Sequence, residues 1–111
     1  MNLEFQVKID KLLVNMRGEL DHHSAEEVRN RIDDRLDRDG LNKLIMDFSG
    51  VSFMDSSGIG VVIGRYKKLD LKNGSMCIVG ANDLVKRVFE LSGLFKIVKL
   101  YNSVEEAIEN I

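Results

Sequence analysis

Apolar and polar residues alternate at the start of the chain. From residue 3 to residue 9 every second position is apolar, which predicts a half-buried β-strand. Residues 12–16 are mainly apolar and predict a second strand, and Asp10-Lys11 between the two segments can form a turn. The pattern therefore predicts an N-terminal β-hairpin, followed by a loop over residues 18–23.

Four later segments carry apolar residues at the spacing of an α-helix. These stripes lie in residues 25–36, 59–69, 84–89 and 104–111. Ser24 with Glu27, and Ser103 with Glu106, match the capping box that opens many helices. Either residue of the Asn-Asp pair at positions 82–83 can cap the third helix.

Apolar strands are predicted between these helices. Residues 44–48 form a nearly continuous apolar run, typical of a central strand covered on both faces, and residues 76–79 form another. Residues 95–101 predict a last strand, whereas residues 49–56 predict a loop. The order β-β-α-β-α-β-α-β-α predicts a single α/β domain over residues 1–111. Its sheet is expected to be mixed but mostly parallel, with the N-terminal hairpin and about four helices.

Composition narrows the class of protein. The 111 residues are 44% hydrophobic and 31% charged, which is enough for one hydrophobic core and excludes a disordered chain. Sixteen basic and 18 acidic residues give a net charge of −2, which disfavours nucleic-acid binding. No apolar run is long enough to span a membrane, and the acidic start is unlike a signal peptide. We expect a cytoplasmic monomer with neither a nucleic-acid nor a membrane partner.

The most informative polar segment, residues 52–60, lies at a predicted strand–helix junction, where sites on parallel sheets are usually found. Asp55 or Ser56 can cap the helix, and Gly58 and Gly60 allow close packing. Two adjacent hydroxyls, a carboxylate and two glycines exceed what a cap requires. A phosphoryl group on a serine at this position would meet free backbone N–H groups and the positive end of the helix dipole.

The same junction allows other interpretations. The segment lacks the Gly-x-Ser-x-Gly elbow of serine hydrolases, so serine hydrolysis is disfavoured. Gly58, Gly60 and Gly64 resemble a loosened dinucleotide-binding fingerprint, which leaves a small nucleotide- or lipid-binding domain as an alternative function. Phe53 and Met54 are apolar residues in a predicted loop. They either pack inward or form an exposed contact patch.

The second polar junction contains Asp21, His22 and His23. A metal site is disfavoured there, because three adjacent residues rarely point at one ion and no second Asp/His cluster follows. The single cysteine, Cys77, lies in a predicted buried strand and is expected to be inert. No metal and no cofactor are expected. The remaining basic clusters are interpreted as solvated helix faces: Arg29 with Arg31, Lys67 with Lys68, and Lys86 with Arg87.

Three blocks of sequence resemble the STAS (sulfate transporter and anti-sigma antagonist) domain family, in particular its sporulation anti-sigma factor antagonists. The first block is Gly-Glu-Leu-Asp-His-His at residues 18–23. The second, Ser-Phe-Met-Asp-Ser-Ser-Gly at residues 52–58, is the most specific and continues through residues 64–67. The third covers residues 85–89 and 92–96. With the element order, the resemblance extends over nearly the whole chain.

The resemblance implies a regulatory binding protein and not an enzyme. In the family, the unphosphorylated form binds an anti-sigma factor that is also a serine kinase, and this frees the sporulation sigma factor. The kinase then phosphorylates and inactivates the antagonist, and a protein serine phosphatase restores it. The family's acceptor is the serine directly after the aspartate, which is Ser56 here and not Ser57. A different partner-switching pathway, such as stress response, is the alternative. The partner-binding residues implied are Asp21, His22, His23, Phe53, Met54, Asp55, Ser57 and Gly58.

Overall fold

The computed structural model describes all 111 residues, which form five β-strands, four α-helices and one short 3₁₀ turn. The strands are β1 (Asn2–Lys8), β2 (Lys11–Leu20), β3 (Lys43–Met54), β4 (Ser75–Val79) and β5 (Lys99–Tyr101). The helices are α1 (Ala25–Asp39), α2 (Ser56–Asp70), α3 (Asp83–Ser92) and α4 (Val104–Asn110), and the 3₁₀ turn spans Leu94–Lys96.

The strands form one sheet in the order β1-β2-β3-β4-β5. β1 and β2 pair antiparallel as a hairpin, and every other pair is parallel. Three successive crossovers step in the same direction across the sheet, so with the usual right-handed sense their helices lie on one face. The structure confirms the predicted α/β fold with a mixed, mostly parallel sheet, an N-terminal hairpin and four helices.

The two faces of the sheet are covered unequally. On one face α1, α2 and α3 pack against the strands in a core of 23 buried residues, which includes an edge-to-face contact between Phe48 and Phe89. On the other face only α4 covers the sheet, over a cluster of five buried residues that includes Ile45 and Cys77. Consecutive residues of the β3 run, such as Leu44 and Ile45, belong to opposite clusters, which confirms that this strand is covered on both faces.

Residues 18–20 and 49–54 are strand, so the loops predicted at residues 18–23 and 49–56 are wrong over these positions; residues 21–23 do form a turn. β2 continues to Leu20 and β3 continues to Met54, with Leu20 opposite Met54 in parallel register. The register shifts near Gly18, which has a φ of +115°. Polar residues occur in these segments because the pairing satisfies the backbone while the outer face of the strand stays exposed.

Two further local predictions are wrong. Residues 95–101 do not form one strand, because Gly93 ends α3 in the left-handed conformation and a 3₁₀ turn follows before the three residues of β5. Ile9 lies outside the first strand, in the hairpin turn, with a φ of +63° and an exposed side chain. None of the helices is both long enough and apolar enough to cross a membrane.

Candidate functional site

The candidate site lies where β2 and β3 end together at one edge of the sheet. The chain leaves β3 at Met54 and enters α2 at Ser56, so only Asp55 separates strand from helix. The Asp55 N–H donates to the carbonyl of Leu20 at 3.3 Å, which extends the β2–β3 pairing by one more bond. The start of α2 is therefore hydrogen-bonded directly to the sheet, with no loop between them.

Asp55 is the N-cap of α2, which decides between the two candidate caps. Its backbone is extended, and its Oδ1 accepts a hydrogen bond from the Ser57 N–H at 2.8 Å. Its Oδ2 accepts a second, longer bond from the His22 N–H at 3.3 Å. One carboxylate thus joins the first turn of α2 to the segment that precedes α1.

Ser56 is the first residue of α2, and its side chain is exposed. Its hydroxyl makes no hydrogen bond within the protein, and the first turn of α2 contains no acidic residue. Ser57 is half-buried and faces a groove between α1 and α2. The two adjacent serines therefore differ in accessibility, and Ser56 is the one open to a reagent or a partner in solution.

Of the two apolar residues before Asp55, one packs inward and the other is exposed. Met54 points into the core and is 2% exposed, whereas Phe53 is 43% exposed. Gly58 lies beside Met54, because a Cβ added at Gly58 would clash with the Met54 Cγ. The prediction of close packing is confirmed at Gly58. It is wrong at Gly60, where an added Cβ would meet nothing within 4 Å.

The glycines of the nucleotide-type fingerprint do not form a loop. Gly58, Gly60 and Gly64 all lie inside α2, and none has a positive φ. A phosphate-cradling loop needs backbone N–H groups that are not used by a helix, and only the first turn of α2 offers such groups. The spacing of these glycines is thus a property of one helix and not of a turn that wraps a nucleotide.

Asp21, His22 and His23 form the turn between β2 and α1. Oδ1 of Asp21 accepts hydrogen bonds from the N–H groups of His23 and Ser24, at 2.9 and 3.2 Å. Burial alone would raise the pKa of Asp21, but these bonds outweigh it and lower the pKa below its ordinary value. Both imidazole rings are exposed, 5.7 Å apart between centroids. No group of three His, Cys, Asp or Glu side chains is arranged to hold a metal ion.

The capping box predicted at Ser24 and Glu27 is wrong. Ser24 has helical backbone angles and makes no capping bond with its side chain. Its hydroxyl instead donates to the Glu19 carbonyl at 2.8 Å and accepts from the Asp21 N–H at 3.1 Å. Asp21 takes over the capping role because its carboxylate reaches two N–H groups. The Ser103 cap of α4 is confirmed by its bond from the Glu106 N–H at 3.1 Å.

Sequence reasoning missed the charged contact between α1 and α2. Arg65 is almost fully buried, and its Nε lies 2.8 Å from Oδ1 of Asp33. Lys68 was interpreted as part of a solvated face, but it also reaches α1, at 3.0 Å from Asp37 and 3.7 Å from Asp33. Acidic residues recur at helical spacing on α1 and basic residues on α2, and this pattern was the only sequence signal for an ion-pair contact between the two helices. Which faces meet depends on the crossover, which a local pattern does not show.

Cys77 lies in β4 beneath α4 and is fully buried. Burial raises the pKa of its thiol to about 12, so the reactive thiolate is suppressed. The structure confirms Cys77 as a core residue.

Comparison with known proteins identifies the family. The STAS domain matches residues 1–107, so the chain belongs to the STAS domain family. The chain is 36% identical over 113 residues to an anti-sigma F factor antagonist of Paenibacillus polymyxa, covering 100% of this chain and 97% of that protein. It is 30% identical to an anti-sigma-B factor antagonist of Listeria monocytogenes, covering 92% of this chain and 91% of the relative.

Solved structures show the same fold. A crystal structure of a putative anti-sigma factor antagonist from Thermotoga maritima has a TM-score of 0.93 at 28% identity, covering 98% of this chain and 93% of that chain. The anti-sigma factor antagonist SpoIIAA in its unphosphorylated form has a TM-score of 0.84 at 32% identity, covering 97% and 94%. The Bacillus SpoIIAA in its phosphorylated form has a TM-score of 0.75 at 31% identity, covering 97% of each chain.

Proposed function

We propose that this protein is an anti-sigma factor antagonist. Its unphosphorylated form binds an anti-sigma factor with serine kinase activity in the cytoplasm and thereby releases a sporulation sigma factor. The names of relatives that align over the whole chain support the antagonist function. The sporulation pathway is supported by the higher identity to the anti-sigma F antagonist, 36% against 30% for the anti-sigma-B antagonist.

The proposal includes phosphorylation of Ser56 as the inactivating step and a protein serine phosphatase that reverses it. The observation that carries this step is the position of Ser56. Its hydroxyl is exposed and unbonded, at the first residue of a helix whose cap is fixed on both sides. A phosphate at this position faces the positive end of α2, so the domain can hold the charge without unfolding.

The partner surface is proposed to surround Ser56. Asp21, His22 and His23 contribute from the turn before α1, and Asp55 joins that turn to α2. Phe53 offers the exposed apolar contact. The remaining members are Ser57, on the groove side, and the buried pair Met54 and Gly58, whose role is to keep the surface in shape.

Electrostatics is sufficient for the switch. Phosphorylation adds about −1.5 to −2 charges at neutral pH, against a net charge of −2 for the whole chain. Two unit charges about 4 Å apart interact by about 4 kcal/mol at an effective dielectric constant near 20. A penalty of about 4 kcal/mol weakens binding about a thousandfold. A phosphate on the exposed Ser56 would impose such a penalty on an acidic group that the partner places beside it, so no large conformational change is required.

The test is phosphorylation by the anti-sigma factor. The protein is incubated with a sporulation anti-sigma factor and radiolabelled ATP, and the labelled peptide is mapped. We expect the label on Ser56, no label in Ser56→Ala, and normal labelling of the matched control Ser57→Ala. Ser56→Ala should keep its fold and remain bound to the anti-sigma factor. Loss of label in Ser57→Ala with label retained in Ser56→Ala would contradict the assignment.

The stress-response pathway is the second candidate, because an anti-sigma-B antagonist is among the relatives. Calorimetric titration with both types of anti-sigma factor separates the two pathways, and tighter binding to the sigma-B type would overturn the sporulation assignment. A nucleotide titration without any partner tests the small-ligand alternative. We expect no heat of binding, because the glycines of the fingerprint lie within α2.

A further inference from the structure

One arginine of α1 differs from the others in its charge pairing. Helix α1 contains four arginines, and Arg29 is the only one that forms no ion pair. The other three each pair with an acidic residue one turn away: Arg31 with Glu27 at 3.9 Å, Arg35 with Asp39 at 3.2 Å, and Arg38 with Asp34 at 3.8 Å.

The acidic residue that could pair with Arg29 from the next turn of α1 already forms ion pairs with α2. The acidic residue one turn after Arg29 is Asp33, and its carboxylate is bound from α2 by Arg65 at 2.8 Å and by Lys68 at 3.7 Å. One turn before Arg29 stand Ala25, which has no charge, and Glu26, which forms no ion pair with Arg29. Contact between α1 and α2 therefore takes Asp33 away from Arg29 and leaves its guanidinium exposed.

Arg29 lines a groove of about 370 Å³ between the first turns of α1 and α2. Ser57 and Gly60 line the α2 side of this groove, and the proposed acceptor, Ser56, is the residue before Ser57 in the same helical turn. Gly60 has no structural reason to be glycine, since its φ is not positive and an added Cβ would touch nothing within 4 Å. Alanine has the higher helix propensity at such a position. The missing side chain keeps the groove open.

We propose that this groove receives one acidic side chain of the anti-sigma factor, which pairs with Arg29. The proposal rests on the proposed function. A planar guanidinium binds a carboxylate through two parallel hydrogen bonds, and the nearby N-terminus of α2 also favours a negative group. Glu26 lines the same groove and partly offsets the charge of Arg29, so the site suits one acidic group and not several.

The groove also explains why a phosphate on Ser56 would weaken binding. Ser56 directly precedes Ser57, which lines the groove. A dianionic phosphate on Ser56 would place negative charge one residue from the groove lining, where it repels a carboxylate that enters the groove. Phosphorylation would then weaken the proposed contact between Arg29 and the carboxylate, in addition to making the electrostatic potential of the whole surface more negative.

A charge reversal tests the electrostatic part of the proposal. Arg29→Glu is compared with Arg38→Glu, which makes the same charge change on the same helix, outside the groove. Affinity for the anti-sigma factor is measured by calorimetry, and thermal unfolding confirms that both variants fold. We expect at least tenfold weaker binding for Arg29→Glu and a change within twofold for Arg38→Glu. Equal affinities of the two variants would overturn the proposal.

A steric pair tests the groove independently of charge. Gly60→Leu fills the groove, whereas Gly64→Leu places the same side chain one turn further along α2, outside the groove. Neither position has a neighbour within 4 Å of an added Cβ, so the first side-chain carbon fits at both, and thermal unfolding checks that both variants fold. We expect at least tenfold weaker binding for Gly60→Leu only. Equal effects at the two positions would show that the groove is not occupied.

The outcomes separate this proposal from the function on which it rests. Labelling of Ser56 in the wild-type protein tests the function alone. If the wild type is labelled and bound while Arg29→Glu binds as tightly as Arg38→Glu, only the groove proposal fails. If the wild type is neither bound nor labelled, the proposed function fails and the groove proposal fails with it.

Discussion

Helices α2 and α3 begin at the same edge of the sheet but are capped by different chemistry. Asp55 caps α2 and accepts from the N–H groups of Ser57 and His22. Asn82 caps α3, accepts from the Val85 N–H at 2.8 Å, and donates to the carbonyl of Val51 at 3.0 Å. A carboxylate can only accept, whereas an amide can do both, and this decides which neighbour each cap can join.

The residue after the cap also differs. In α3 it is Asp83, so this helix carries a permanent negative charge at its favourable end. In α2 it is the neutral Ser56, and the charge resides on the cap. Both helix starts can therefore hold an anion, but only that of α2 can gain one after folding. The proposed phosphorylation of Ser56 would therefore change the charge of this surface while the fold stays the same.

The largest effect on affinity is expected at the first residue of α2, Ser56, in comparison with the first residue of α3, Asp83. Phosphorylation of Ser56 should weaken binding to the anti-sigma factor about a thousandfold, or about 4 kcal/mol, by like-charge repulsion. Asp83→Ser should change that affinity less than twofold. Calorimetry measures both, and an NMR comparison checks the fold. Chemical-shift changes spread through the sheet on phosphorylation would contradict a purely local switch.

The third helical position gives the next effect. Gly58→Ala forces a methyl group against Met54 and should destabilise the fold by about 1–3 kcal/mol through overpacking. Val85→Ala at the matching position of α3 removes buried methyl groups and should cost about 2 kcal/mol through a cavity. Urea unfolding measures both. In a double-mutant cycle, Gly58→Ala with Met54→Ala should cost less than the sum of the single changes, and strict additivity would refute the clash.

Substitutions of the two capping residues, Asp55 and Asn82, test the difference between the two helix starts. Asp55→Ala and Asn82→Ala should each cost about 1 kcal/mol of folding free energy. Asp55→Asn keeps an oxygen for the Ser57 N–H and loses only the longer bond from the His22 N–H, at 3.3 Å. It should cost less than Asn82→Asp, which loses the 3.0 Å bond to Val51 and faces a carboxylate toward a carbonyl oxygen. The control is the cap of α4, Ser103→Ala, at an exposed site. A larger loss for Asp55→Asn than for Asn82→Asp would contradict the hydrogen-bond assignment.

The smallest expected effect is the pH dependence that Asp21 gives to the free energy of unfolding. Asp21 lies in the turn that is hydrogen-bonded to Asp55. The pKa of Asp21 is lowered from its ordinary value of 3.8, because hydrogen bonds from His23 and Ser24 outweigh burial. The contribution of Asp21 to stability is therefore fully present above that value. It is lost as the pH falls through the lowered pKa. An NMR titration should show Asp21 more than half ionised at pH 3.8, and Asp21→Asn should flatten the stability profile only on the acidic side.

The element order and most helix ends could be predicted from the sequence, because they depend on local periodicity and on residues such as Gly93. The strand ends could not be predicted. Residues 18–20 and 49–54 look like loops, since polar residues are frequent there, and they become strands only because β2 and β3 pair in parallel up to Leu20 and Met54. That pairing joins segments more than 30 residues apart.

The candidate site shows the same division. The sequence by itself determined that an Asp-Ser-Ser-Gly segment opens a helix at a sheet edge, because capping preferences act within a few residues. Only the tertiary structure decided that Asp55 and not Ser56 is the cap, that Ser56 is exposed while Met54 is buried, and that Arg29 has no partner. These properties depend on which faces of β2, α1 and α2 meet, and the sequence pattern of each element is compatible with several such arrangements.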